Sequence, residues 1–364
     1  MNVLYEGYVF DHSPRGGVSR YFHQLISGIS LKAEARVTLL DNANCRDAAL
    51  RWPNAKPCSY RWNRWMPGRL QMWREKRFLT GLAQAEINQI VHFTYYQTLR
   101  NVPFKEFHGC RVVTVHDCIH ERFPETDPDG RLQKAKRAAL DSADAIICIS
   151  QSTRQDLSNY YPGLECKTRV VLHGTPQLPP LRKTDGVKSR PYFLYVGYRK
   201  GYKNFKLLAR AFARFHAAYP ETILKLAGQP FSTEEQAELA QAGLLEGMEH
   251  LGFLSEQDLA QLYSDALALV LTSRWEGFGF PILEAFACGT PVLASDIAPF
   301  REVAGNAALF FAENNEESLY LSLRKLAEEN ELREELKTLG RMRSPEFQLE
   351  KSIAATLAVY RELI

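Results

Sequence analysis

Two glutamates eight positions apart, Glu276 and Glu284, bracket the turn Gly277, Phe278, Gly279, and Pro281 follows directly. A carboxylate carries two acceptor oxygens and can grip a vicinal diol through paired hydrogen bonds. Glycines at 277 and 279 let bare N–H groups approach a ligand, and phosphates and sugar hydroxyls both take such donors. A second group is cationic: Arg199, Lys200 and Lys203 lie between Gly197 and Asn204. Fixed cations stabilise a leaving diphosphate more in the transition state than in the ground state. His116 and Asp117 form a third group, a polar pair where a strand should simply end. The fourth is Gly16 and Gly17, preceded by Arg15. Each has a plainer reading: a solvated glutamate, a cap, a basic loop, a histidine held by its neighbouring carboxylate, an ordinary turn. The joint placement of Glu276 and Glu284 around the glycines favours a ligand site.

Short β-prone runs must position these groups. In the first half they are 3–5, 37–40, 90–93, 112–115, 145–149 and 169–172, separated by helical stretches such as 18–29 and 130–141. Such alternation implies a parallel sheet covered on both faces. The stretch 175–191 is rich in Pro and charge and reads as a linker. The second half repeats the pattern with runs 192–196, 223–227, 250–253, 267–271, 292–294 and 308–311. Every candidate group then falls at the carboxyl end of a strand, where open α/β sheets bind ligands. Gly16 and Gly17 precede a helix whose Val18, Phe22, Leu25 and Ile29 keep helical spacing, so their N–H groups suit a phosphate.

Glu276-Gly277-Phe278-Gly279, Glu284 and the trailing Ala287-Cys288-Gly289-Thr290-Pro291 resemble the signature of the retaining glycosyltransferases of the GT-B, family-four type. Gly16-Gly17, His116-Asp117 and Gly197 through Lys203-Asn204 appear in the order that family expects, so the resemblance covers nearly the whole chain. It implies an α/β chain of two Rossmann-like domains with parallel sheets facing across a cleft. An acceptor domain is expected over 1–175, a linker over 176–191 and a nucleotide-sugar donor domain over 192–345, with a last helix in 346–364 crossing back. By the same resemblance, His116 contacts the transferred sugar, and Gly16-Gly17 lies near the donor diphosphate and the acceptor. Arg15 and Asp117 serve the acceptor side. Arg199 and Lys203 hold the diphosphate, with Gly197 and Asn204 beside them. Glu276 and the backbone of Gly277, Phe278 and Gly279 hold the sugar, and Glu284 holds the ribose diol. One position departs from the pattern: Tyr202 stands where many relatives carry an arginine before the lysine, and Arg199 is the expected substitute.

At 364 residues, with 45% hydrophobic and 24% charged content, the chain suits two independent cores. A net charge of +3 is too mild to imply nucleic acid, which is not an expected partner. Seven cysteines without a Cys-x-x-Cys describe neither a disulfide framework nor a zinc site, and Cys118, Cys148 and Cys288 read as small core residues of a reduced compartment. Neither an export signal nor a membrane-spanning run is present, so the cytosol is the expected location. Asp127 and Asp129 spell a metal-binding Asp-x-Asp, but they sit in a Pro-rich turn away from any strand end and read as a solvated decoy. With cations available for the diphosphate, no metal or other cofactor is expected.

From Arg51 to Arg77, eight cations interleave with Trp52, Trp62, Trp65 and Trp73. That composition fits an anionic bilayer surface, giving a peripheral protein on the inner membrane face. It also fits single-stranded nucleic acid or plain packing.

The resemblance implies hexosyl transfer from a nucleotide-diphosphate sugar with retention, by front-side substitution in which the departing phosphate takes the acceptor's proton. The run Cys118 to Glu125 after His116-Asp117 resembles bacterial surface-polysaccharide transferases. GDP-mannose is therefore the favoured donor, with UDP-sugars open and a glycan or lipid-linked glycan as acceptor. The competing reading is a catalytically silent nucleotide-sugar binder that supports a partner enzyme. A nicotinamide enzyme ranks third, because no Gly-x-Gly-x-x-Gly follows a strand.

Overall fold

The short apolar runs become strands because each is covered on both faces, a setting that β-branched and aromatic side chains fill well. The computed structural model describes all residues except 14–15, 42–54, 61–65, 176–177, 182–189 and 200. Contacts divide the chain into two units, residues 1–174 with 349–364, and residues 175–348.

The first unit holds β1 (Asn2–Glu6), β2 (Arg36–Asp41), β3 (Lys56–Ser59), β4 (Ile90–Phe93), β5 (Cys110–Val115), β6 (Ala145–Cys148) and β7 (Thr168–Val170) in the order β3-β2-β1-β4-β5-β6-β7. All pairings are parallel. Around them run α1 (Tyr8–His12), α2 (Gly17–Ser30), α3 (Gly68–Ala83), α4 (Ile119–Arg122), α5 (Arg131–Ser142) and α6 (Gln151–Tyr160). Sequence periodicity does not reveal β3, which is short and carries Pro57; an edge strand tolerates the missing N–H.

The second unit holds β8 (Tyr192–Val196), β9 (Ile223–Ala227), β10 (Met248–Gly252), β11 (Ala268–Leu271), β12 (Val292–Ser295) and β13 (Leu309–Phe311), parallel in the order β10-β9-β8-β11-β12-β13. Its helices are α7 (Phe205–Ala218), α8 (Thr233–Gln241), α9 (Glu256–Ser264), α10 (Phe280–Cys288), α11 (Ala298–Ala304), α12 (Glu316–Glu328) and α13 (Asn330–Arg343). The last helix, α14 (Leu349–Leu363), belongs to the first unit.

Strand alternation sorts the first unit's core into two layers. Tyr5, Val37, Ile90, Val112 and Ile147 pack with α2 and α14, while Leu4, Leu40, Val91, Val113 and Ile146 pack with α3, α5 and α6. α2 and α14 approach closely at Gly28, where a Cβ would sit 2.1 Å from Ile353 Cδ1 and would oblige that side chain to shift. The α14 side also anchors a buried polar chain. The Tyr360 hydroxyl lies 2.8 Å from the Tyr5 hydroxyl and 2.5 Å from His92 Nδ1, and His92 Nε2 lies 2.8 Å from Thr114 Oγ1. Each member is paired, so the chain fixes β5 two residues short of His116.

Each sheet has one topological switch point. β1 lies between β2 and β4, and β8 lies between β9 and β11. Loops leaving the two inner strands diverge there and open a crevice at their carboxyl ends.

Candidate active site

In the second unit the loops after β8 and β11 meet at that switch point. Arg274 N–H donates to the Tyr202 carbonyl at 2.7 Å, and the Thr272 hydroxyl donates to the Lys203 carbonyl at 3.0 Å. These ties bring the Lys203 ammonium to 2.5 Å from Glu276 Oε1, where the Ser273 hydroxyl also donates at 2.6 Å. Ser273 is fixed in turn by Ser295, whose hydroxyl donates to the Ser273 carbonyl at 2.6 Å. The carboxylate and the ammonium remain partly exposed, 16% and 24%. An incoming ligand can therefore reach both.

Gly197 has φ 124° with open space where a Cβ would stand. Gly279 caps α10 with φ 117°, a conformation that favours glycine, and a Cβ there would meet the Ile282 and Phe300 side chains at 3.0 Å. Asn204 caps α7 in the left-handed region and bonds Asn314 through its side chain at 2.8 Å. Gly277 is buried in the same turn.

One expectation needs correction in this unit. Arg199 does not join Lys203. Its Nε and Nη2 donate to Glu235 at 2.9 and 3.1 Å, its Nη1 donates to the Gln229 carbonyl at 2.6 Å, and its guanidinium lies 4.2 Å above the Phe231 ring. A buried guanidinium keeps such a partner because losing it would leave an uncompensated charge. The Phe278 side chain packs inward against Phe347, with ring centroids 5.9 Å apart, so only its backbone is available to a ligand. Glu284 is no solvent-facing helix residue either. α10 is apolar on nearly every side, and Glu284, 3% exposed, accepts the Tyr263 hydroxyl at 2.6 Å. No periodicity signals Tyr263, which comes from α9.

In the first unit, His116 ends β5 and is enclosed by rings: Tyr21 and Phe22 edge-on at 5.2 and 5.8 Å, and His173 stacked at 5.9 Å. Its Nε2 is buried and has no hydrogen-bond partner among the described residues. A buried unpaired ring nitrogen is costly, and a sugar hydroxyl would satisfy it. Asp117 Oδ1 accepts the Ile119 N–H at 3.0 Å and so shapes the following turn. Gly16 caps α2, and Gly17 beside it is exposed with nothing within 4 Å of a Cβ position. Arg15 lies outside the described residues.

Sequence reasoning misses Lys136. Its buried ammonium pairs with Glu121 at 3.0 Å and donates to the Asp117 carbonyl at 2.6 Å, locking the turn that carries His116. A lone lysine in a helical pattern gives no signal of this. Asp127 is buried and caps α5, whereas Asp129 lies in solvent as expected, its side chain 54% exposed. Asp127 accepts the N–H groups of Leu132 and Gln133 at 3.2 and 3.0 Å, and Asp129 accepts that of Arg131 at 3.1 Å. Cys118 and Cys148 are buried as expected, whereas Cys288 is only half-buried. Of the 51–77 stretch, Arg51, Trp52, Arg61, Trp62, Arg64 and Trp65 lie outside the described residues; α3 exposes Leu70, Met72 and Trp73 beside Arg69, Arg74, Lys76 and Arg77.

Burial pushes the imidazoles of His92 and His116 down to about 3, and that of His173 well below its usual value. Unfolded, each takes a proton near pH 6.5, so the stability each contributes is complete above that pH and is lost as pH falls toward 3. Glu6 behaves oppositely. Burial raises it to about 8 although Leu99 and Tyr8 N–H groups bond it, so its contribution is complete below about 4.5 and is lost as pH rises through 8. Three histidines outweigh one glutamate below pH 6.5, and Glu6 acts alone among these groups between 6.5 and 8. Thermal unfolding across pH 4–8.5 is expected to show the first unit most stable near pH 6.5, falling more steeply on the acid side. A plateau from pH 4.5 to 6.5 would show that these imidazoles are not held neutral.

Residues 15–177 match the family described as Glycosyltransferase Family 4, and residues 181–343 match Glycosyl transferases group 1. The O-antigen chain mannosyltransferase B of Escherichia coli is 27% identical over 269 residues, covering 69% of this chain and 70% of that protein. In two further mannosyltransferase relatives the match covers 60% and 32% of their length. Among solved structures, a sucrose-phosphate synthase from Thermosynechococcus elongatus superposes with a TM-score of 0.80 at 19% identity, covering 100% of this chain and 98% of the other. Anabaena Alr3699/HepE in complex with UDP and glucose gives 0.75 at 18% identity, covering 100% of both chains.

Proposed function

Because this chain belongs to the family-four glycosyltransferases of GT-B fold, we propose that it moves a mannose-type hexose from GDP-mannose to a glycan or lipid-linked glycan during O-antigen or related surface-polysaccharide synthesis, with retention. The observation that carries this reading is the Lys203 ammonium meeting the Glu276 carboxylate at 2.5 Å on the switch point of the donor-side sheet. Names of relatives support the sugar and the acceptor class.

Each group then has a task. Lys203 exchanges its carboxylate partner for the diphosphate and stabilises the negative charge that grows as the glycosidic bond breaks. Glu276, released but still held by Ser273, accepts from the sugar hydroxyls, and the Gly277 to Gly279 backbone donates to them. Glu284 takes the ribose diol after a shift of the Tyr263 contact. His116 stays neutral and pairs a sugar hydroxyl through Nε2. The acceptor hydroxyl attacks from the face the diphosphate leaves, and its proton passes to the departing phosphate oxygen, so the protein supplies charge and orientation without a base of its own. Metal independence is part of the proposal, and NDP release should be unchanged by EDTA.

Incubation of the pure protein with nucleotide sugars is expected to release nucleoside diphosphate slowly, and faster with acceptor. Binding without turnover, even with glycan acceptors present, would favour the silent binder. In a thermal-shift panel of GDP, UDP, ADP and dTDP, GDP is expected to raise Tm most, since a ligand at one hundred times its Kd adds about 2.7 kcal/mol. A larger shift with UDP would overturn the mannose assignment.

No described helix is long and apolar enough to cross a membrane. Exposed Leu70 on α3, beside Arg69, Arg74 and Arg77, supports peripheral binding to an anionic bilayer, with snorkelling cations beside an apolar tip. Replacing Arg69, Arg74 and Arg77 by glutamate is expected to abolish sedimentation with phosphatidylglycerol vesicles at low salt. Unchanged sedimentation would remove this role.

A further inference from the structure

The first unit has a cavity that the transfer chemistry above does not use. It occupies about 560 Å³ and is lined by α1, α3 and the turn Leu99–Asn101. The segments after β1 and β4 both reach it, which places it at the switch point of the first sheet, where an α/β sheet takes its ligand. Its volume falls in the small-molecule range and leaves room for a short oligosaccharide.

The lining has a definite chemistry. Tyr8 and His12 stack face to face with centroids 3.8 Å apart, and Trp73 stands 56% exposed on the α3 side. Flat aromatic faces suit the C–H faces of pyranose rings. The lining also includes Asp11, Lys76 and Asn101, acceptor and donor heads of the kind that sugar hydroxyls need. Charge is balanced, with Asp11 and Glu75 against Lys76 and Arg100, so the lining does not favour an anion such as a diphosphate.

The walls are also preset. Buried Glu6 accepts the Leu99 N–H at 2.5 Å and the Tyr8 N–H at 3.1 Å, tying the turn to α1, and Arg100 Nε pairs with buried Glu75 at 2.6 Å, tying it to α3. Arg100 and Asn101 are consecutive non-glycine residues with φ 53° and 52°. Such backbone persists only where surroundings over-determine it, and it clusters at ligand clamps.

We infer that this cavity holds the acceptor's sugar chain, a neutral pyranose glycan stacked on Trp73 and the Tyr8–His12 pair. The inference rests on the transferase reading for the word acceptor; the glycan site itself stands on the cavity.

Affinity is to be measured by titration calorimetry and saturation-transfer NMR for methyl-capped mannose-, galactose-, rhamnose- and N-acetylglucosamine-type trisaccharides, with and without GDP. The full chain is expected to bind at least one saturably. Trp73→Ala and His12→Ala, both at exposed side chains, should weaken that binding tenfold or more, while Trp73→Phe stays within threefold. Absence of binding by every glycan, or unchanged affinity in both alanine variants, would overturn the inference. A protein that releases nucleoside diphosphate yet binds no glycan sinks this inference alone. One that binds glycan through Trp73 yet never turns over a donor sinks the transferase reading alone.

Discussion

Lys203→Ala and Glu276→Ala are each expected to lower kcat/KM by 10²- to 10³-fold, the scale seen when one preorganised charge-stabilising group is removed, about 3–4 kcal/mol. The two losses should differ in kind. In the proposed reaction Lys203 addresses the diphosphate, so its loss should weaken GDP and GDP-mannose together. Glu276 is proposed to address the sugar, so its loss should weaken GDP-mannose and leave GDP bound. Global stability should change less than in a fully buried pair, because these side chains are 24% and 16% exposed, against 3% and 4% for Lys136 and Glu121. Steady-state kinetics with calorimetric titration of both ligands decides the matter. Wild-type rates in either variant, or equal loss of GDP affinity in both, would separate this pair from the transferred group.

Lys136→Met carries the largest expected loss of stability. Lys136 and Glu121 are 3% and 4% exposed, and the substitution strands the Glu121 carboxylate and the Asp117 carbonyl in the interior. Removing one member of such a pair costs about 3–5 kcal/mol, which lowers Tm by on the order of 10 °C for a unit of this size. The Tyr161 hydroxyl also donates to Glu121, so a companion Glu121→Gln, which keeps that acceptor without the charge, should recover part of the loss. Urea unfolding followed by near-ultraviolet circular dichroism measures both. An unaltered midpoint in the single variant would mean that water reaches the pair.

Much of the second unit is legible along the chain because strand ends are local events. An apolar run of four or five residues must stop where glycine and charge begin, as at Gly197 and Thr272, and a parallel sheet puts every such stop on one edge. Gly279 is legible for the same reason: a helix starting at Phe280 with Pro281 in its first turn needs a residue free to take φ 117°. β3 is not legible, since four residues including a proline carry no period, and their pairing with β2 alone makes them a strand.

Partner choice is the part that composition along the chain leaves open. Arg199 and Lys203 are both cations on one loop, and local sequence treats them alike. Glu235 on α8, thirty-six residues away, claims Arg199, while Ser273 and the ties between the two loops deliver Glu276 to Lys203. Glu284 likewise looks like a surface residue until α9 supplies Tyr263, and His116 looks like any strand-end histidine until the rings of Tyr21, Phe22 and His173 enclose it. The chain by itself determined the two Rossmann-like units and the edge on which each set of reactive groups stands, because periodicity and turn chemistry act over a few residues. The tertiary structure decided which charges are closed off in the interior and which stay partly exposed, because a charge takes its partner from whatever folding brings within a few ångströms.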